Sequence, residues 1–389
     1  MTTAAQLRQY EGAPIFAMGF RPFFLFGAIY AALALPLWIV GYHGWITGVT
    51  RDWHVHEMLF GYLGAVIAGF LLTAVPNWTG RLPVSGGPLA MLFSLWAAGR
   101  VAMLINVASL WAAIIDSGFL FALAFIIGRE VIAGRNVRNL GVCVLVLLLA
   151  GANLLTHLRG WDPGIGLLGE RFALAAIGSL LTLIGGRIVP SFTRNWMAKQ
   201  GMKDAPVAAN RFDLCVLVMT GASFAAWVFA PYAAATGVIL LGAGALNFIR
   251  LARWRGWRTH AEILVLILHV GYLWLAIALS LLGASILFPA SVPAISGIHA
   301  LTAGAFGVMT LAVMTRASRG HTGQPLTADR GTQWIYALVT IGAALRVAGP
   351  FFGAINFVFV IVSAVLWSAA FAAFAFLYGP LLVSVRHRA

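Results

Sequence analysis

Charge is scarce in this chain. Of 389 residues only 9% are Asp, Glu, Lys or Arg, against about a quarter in soluble domains, so a soluble globular enzyme is excluded. Acidic residues are scarcer still, 11 against 25 Lys and Arg, which leaves a formal net charge of +14. Cysteine occurs twice, as Cys143 and Cys215, each inside an apolar run. A disulfide framework, a CxxC pair and a cysteine-based zinc site are therefore all excluded. Period-two alternation of apolar and polar residues is missing, which excludes a transmembrane β-barrel. The segment from Met1 to Glu11 is polar and has no cleavable signal pattern, so the whole chain is expected to stay in the membrane.

What the chain has is apolar surface, at 61% of residues. A helix needs roughly 20 apolar residues to cross about 30 Å of hydrocarbon. Twelve such runs are predicted, at 20–42, 54–76, 88–107, 109–128, 139–157, 171–189, 212–230, 232–251, 261–286, 297–316, 332–350 and 354–383. Breaks fall where Pro, Gly, Asn and charge cluster, as at Pro76-Asn77-Trp78-Thr79-Gly80-Arg81. The expected fold is thus an all-α polytopic membrane protein.

A net charge of +14 would suggest nucleic acid in a soluble protein. Here 20 of the 25 basic residues fall in the N-terminal segment, the even-numbered loops and the C-terminus, counting with them Arg21, Arg187, Arg250 and Arg316 at the adjoining span ends. The odd-numbered loops hold Arg51, Arg159 and Arg171, and Arg100 and Arg346 lie inside spans. By the positive-inside rule both termini are cytoplasmic and the excess mostly orients the chain. Nucleic acid is not an expected partner.

An internal repeat emerges when His56 is aligned with His299. Gly64 then meets Gly307, and Thr79-Gly80 meets Thr322-Gly323, without a gap. With three extra residues, Ala98-Gly99-Arg100-Val101-Ala102 meets Ala344-Leu345-Arg346-Val347-Ala348. A weaker middle copy places Glu170 at the histidine position, Gly178 after it, and Val189-Pro190 opposite Val75-Pro76. The chain reads as three pseudo-symmetric four-helix units in one transmembrane domain, at about 12–130, 131–255 and 256–389. That architecture resembles the haem-copper oxidases at the level of fold.

Ionisable residues inside spans are costly and mark functional sites. The predicted topology puts His43, His54, His56, His157 and His299 near the outer ends of their helices, and His260 and His321 at the inner surface. His387 lies in the C-terminal tail. His56 and His299, at equivalent depth, are the candidate axial pair for one haem; the alternative is two interfacial histidines bonded to backbone or water. Arg100 and Arg346 lie in the same outer half and would clamp haem propionates. The alternative for them is pairing with Asp116, Glu57 or Glu170. In Trp53-His54-Val55-His56-Glu57, residues two apart on a helix point about 200° from each other. His54 would therefore turn to a second centre with His157 or Glu170, suited to copper or non-haem iron. His269, about 13 Å from the inner face, would serve another cofactor, a proton path or a neighbouring carbonyl. The basic run Arg316 to Gly323 lacks Walker or Rossmann spacing and reads as a topogenic loop.

Several of these blocks together resemble a known family. Gly19-Phe20-Arg21-Pro22-Phe23-Phe24-Leu25, Trp53 to Gly61, Ala68 to Gly80, His299-Ala300-Leu301-Thr302 and Ser318 to Gly323 are similar to the NnrS family, and they lie at both ends of the chain. The resemblance implies a bacterial inner-membrane protein of the nitric oxide and nitrosative stress response, containing haem b and copper. Its motif histidines fall on His54, His56, His299 and His321, although the depth reading leaves His321 on the face opposite the haem pair. The implied reaction is haem-dependent reduction of nitric oxide to nitrous oxide, with His54 and Glu57 as catalytic candidates and a quinol or redox protein as donor. Two competing expectations are an exporter of a metal-nitrosyl or small anion, and a haem sensor without turnover.

Overall fold

The computed structural model describes residues 10–384; His387 lies outside the described residues. Helix takes up 83% of the structure and no strand occurs among the described residues. We number the helices α1 (Phe20–Tyr42), α2 (Arg51–Thr79), α3 (Gly87–Asn106), α4 (Leu110–Ala133), α5 (Leu140–His157), α6 (Pro163–Lys199), α7 (Arg211–Phe229), α8 (Ala234–Arg253), α9 (Ile263–Leu287), α10 (Ala294–Thr322), α11 (Arg330–Ala348) and α12 (Asn356–Val383). Only helix satisfies every backbone donor and acceptor within one segment in hydrocarbon, so long apolar runs leave the chain no other spanning form.

The ends of these helices are set by side chains that accept from orphan N–H groups. Thr50 accepts from the backbone of Trp53, Ser109 from Ala112 and Asp329 from Thr332. Asn210 and Asp213 close a reciprocal box at the start of α7. Gly80 ends α2 in the left-handed conformation, at φ 70°, which a residue with a Cβ adopts only with strain.

Eleven helical stretches among the described residues are long and apolar enough to cross a membrane. The last, Arg330–Val383, has 54 residues, about 80 Å if it were one continuous helix. It is broken at Gly349–Ile355, where Phe352 leaves helical geometry and Gly353 takes φ 55°, and this break separates α11 from α12.

The chain divides into two compact units. The first takes in the chain to Ala173, together with Ala317–Pro325 and the described residues from Phe371 onward; the second comprises Leu174–Arg316 and Leu326–Ala370. In the first, Arg21 at the start of α1 donates to the carbonyls of Leu382 and Ser384, both at 2.9 Å, at the end of the last helix. Those are carbonyls that a helix leaves without an internal partner.

Both α2 and α10 contain a π-helical segment, Glu57–Tyr62 and Ala300–Phe306. Such segments are rare and concentrate at functional sites. In each helix the residue just before the segment is a histidine, His56 and His299 respectively. The two positions that the sequence repeat equates thus share a local structure.

Candidate functional site

Five helices of the first unit converge on one buried polar cluster: Tyr30 from α1, His56 and Glu57 from α2, Arg100 from α3, Asp116 from α4, and Asn153 with His157 from α5. Glu57 is fully buried, Asp116 is 1% exposed, and His56 and Arg100 are each 5% exposed. Asn153 and His157 are four residues apart, so one face of α5 presents both. The wide π turn carries Gly61 beside Arg100. A Cβ on Gly61 would stand 2.6 Å from Arg100 Nη1 and 3.0 Å from Glu57 Oε2, so a glycine there lets the guanidinium reach its partner. Trp96 on α3 anchors the same turn by donating Nε1–H to the Gly61 carbonyl at 2.9 Å.

The polar contacts form a continuous network. Arg100 donates through Nη1 to Glu57 Oε2 at 2.6 Å and through Nη2 to Asp116 Oδ1. Tyr30 donates its hydroxyl to Glu57 Oε2. His56 meets Glu57 Oε1 through Nδ1 at 2.9 Å, and through Nε2 it meets Asn153 Oδ1 at 2.9 Å and Asp116 Oδ2 at 3.1 Å. Asp116 Oδ2 also accepts from Asn153 Nδ2 at 2.8 Å and from His157 Nε2 at 3.0 Å. The His56 and His157 rings lie 5.0 Å apart, edge towards face.

Several expected site residues meet here: His56, Glu57, Arg100 and His157. Arg100 follows the carboxylate alternative, with Glu57 and Asp116 on its two nitrogens. The expected set of His54, His157 and Glu170 is not drawn together. His54 stacks on Trp38 with ring centroids 5.0 Å apart, diverging from His56 as the helical spacing requires. Glu170 takes a bidentate bond from Arg51, at 2.7 and 2.8 Å, and another from Arg159. Asp52 joins that surface network by accepting from Arg159 at 2.8 Å.

The remaining candidates lie elsewhere. His299, in the second unit, donates Nδ1–H to the carbonyl of Ile295 at 2.9 Å. In neutral imidazole this leaves Nε2 as the basic nitrogen. Arg346 occupies the last turn of α11. His321, within the first unit, packs its ring 5.3 Å from Phe20. His269 bonds through Nε2 to the Thr193 hydroxyl at 2.7 Å, so it is held by a side chain.

The second unit holds a polar cluster that sequence reasoning missed. Arg250 donates to Asp213 at 3.0 Å and to the Tyr272 hydroxyl at 2.9 Å; Tyr272 donates to Asn247 Oδ1, and Asn247 to the Thr220 hydroxyl. Arg250 was counted among the orienting charges, yet it is 2% exposed. Its place within a predicted span was the available signal.

Helices of this length and hydropathy, with ionisable side chains buried among them, define a polytopic helical membrane-type protein with an internal polar centre. The chain belongs to the NnrS family: the model of that family, described as NnrS protein, matches residues 14–386. No curated protein matches the chain.

Proposed function

We propose that the protein is a haem-containing membrane protein that handles nitric oxide, reducing two molecules to nitrous oxide and water with two electrons and two protons. The family name points to a nitric oxide response. The observation that carries the reading is the His299 imidazole, held through Nδ1 as a ligand would be, in a chain of helices fit to span a bilayer that also bury the cluster of Tyr30, His56, Glu57, Arg100, Asp116, Asn153 and His157. The guanidinium of Arg100 and the carboxylates of Glu57 and Asp116 are retained among apolar helices against a solvation cost of several kcal/mol each, which selects for chemistry and not for packing. In this reading the chain crosses a bacterial inner membrane twelve times, α11 and α12 counting separately, with both termini cytoplasmic. Its electrons come from a quinol or a redox protein.

The residues present fit a haem unevenly. The bond from His299 Nδ1 to the Ile295 carbonyl orients the ring as in a metal-ligating imidazole, whose other nitrogen is backed by an acceptor. His56 fits less well, because Asn153 Oδ1 and Asp116 Oδ2 stand where a porphyrin plane would have to lie. Arg100, matched by two carboxylates, needs no propionate for charge balance. In this reading His299 would hold the haem iron and Arg346 would pair with its propionates, and the His56 cluster has a separate task. When bound, the haem supplies an iron that takes up nitric oxide and passes electrons. In the exporter reading Arg100 and Arg346 bind the anion, and Glu57 and Asp116 already pair with Arg100.

The test is the visible spectrum of purified full-length protein, followed by nitric oxide consumption at an electrode with an artificial reductant. The reading expects a Soret band that is lost in His299→Ala, and consumption that depends on it. A protein free of haem, or a Soret band unchanged in His299→Ala, overturns the assignment. A haem protein without consumption is a sensor.

A further inference from the structure

We propose that His56 Nε2, His157 Nε2 and Asp116 Oδ2 bind one divalent first-row transition-metal ion. Among the described residues this is the only group in which three His, Cys, Asp or Glu ligand atoms converge, all within 4.8 Å of one another. Tetrahedral ligands at about 2 Å from an ion stand on the order of 3.3 Å apart. The two His–Asp116 separations are 3.1 and 3.0 Å, so an ion fits between these atoms with small side-chain adjustments.

The hydrogen-bond pattern independently calls for a cation. Asn153 donates Nδ2 to Asp116, which fixes its amide so that Oδ1 faces His56. Both nitrogens of His56 therefore face only oxygen acceptors: Glu57 Oε1 on one side, and Asn153 Oδ1 with Asp116 Oδ2 on the other. Positive charge has to lie between them, and either an imidazolium or an ion at Nε2 supplies it. The charge count agrees, because two buried carboxylates, Glu57 and Asp116, face the one guanidinium of Arg100.

The surroundings already have the form of a metal centre's outer shell. Glu57 takes Nδ1 of His56, the carboxylate–histidine arrangement that orients an imidazole and raises its basicity as a ligand. Arg100 grips Asp116 through Oδ1, leaving Oδ2 for the ion. Two imidazoles and one carboxylate suit iron, copper, zinc or nickel, and not magnesium or calcium, which take oxygen. Three protein ligands leave a coordination position open. The set shares only His157 with the metal residues expected from sequence.

The inference rests on the geometry of the first unit and is independent of nitric oxide turnover. Its test uses untagged full-length protein in detergent micelles, stripped with a chelator and titrated with Co(II). We expect one Co(II) per chain, with visible ligand-field bands of a four- or five-coordinate nitrogen-ligated site. Glu57→Gln should weaken binding roughly 10–100-fold. His157→Gln and Asp116→Asn should weaken it further, and His299→Ala should leave it unchanged. No stoichiometric binding by the wild-type protein overturns the inference, as does wild-type affinity in His157→Gln. Equal loss in His299→Ala would move the site elsewhere. Elution of each variant as one species separates loss of ligand from loss of fold.

Discussion

Replacing Arg100 by Met removes the one cation that two buried carboxylates share. Removing a single partner from a buried ion pair costs about 3–5 kcal/mol, because the remaining charge is left uncompensated. Here two carboxylates lose a partner, but each keeps others. Glu57 retains the Tyr30 hydroxyl and His56 Nδ1; Asp116 retains Asn153 and both imidazoles. We therefore expect a loss near the lower end, about 3 kcal/mol, read as a shifted midpoint in unfolding of the micelle-bound protein by a denaturing detergent. The second half of the cycle is sharper. In an Asp116→Asn background the same Arg100→Met change removes a cation that faces one carboxylate instead of two, so it should cost less, with a coupling energy of about 1–3 kcal/mol. A loss below about 1 kcal/mol in Arg100→Met, or strict additivity in the double variant, would refute the shared-cation account.

Gly61→Ala should act on the same pair from the other side: its Cβ falls against Arg100 Nη1, and overpacking of this kind costs about 1–3 kcal/mol, measurable in the same assay. Gly353→Ala, at φ 55° and ψ −120° in the break between α11 and α12, should cost about 1–3 kcal/mol through backbone strain, with the spectrum and any metal binding unchanged. Arg51→Ala should cost less than about 1 kcal/mol, and less still in high salt. The Arg51 side chain is half exposed, and Glu170 keeps Arg159 as a partner; a large salt-independent loss would show that this network is structural.

Helix positions were legible in the sequence because hydrocarbon leaves little choice. The run predicted at 20–42 matches α1 residue for residue, and 354–383 matches α12 to within two residues at its start. The long polar extensions of α6, which continue to Lys199, were not legible, because a hydropathy window ends where the lipid does while the backbone need not. The site was half legible. His56, Glu57 and Arg100 stood out as ionisable residues in apolar runs, and His157 through its type. Asn153 and Tyr30 did not, because neither is rare enough in a membrane helix to attract notice. Only the folded arrangement shows that Asn153 dictates which atoms His56 faces. Charge counting also misled at Arg250: a guanidinium near a helix end looks topogenic until Asp213, Tyr272 and Asn247 are seen around it.

The first unit is interrupted in sequence by the second, and Arg21 is fastened to carbonyls belonging to the final turn of α12. During translation, therefore, the helix that emerges first waits for the helix that emerges last. The hydrogen-bonding residues of the polar cluster run only from Tyr30 to His157, so its ion pairs can form early, while the ribosome still holds the rest. A chain released before residue 371 would carry an assembled cluster in an unclosed unit, without the Leu382 and Ser384 carbonyls that Arg21 bonds.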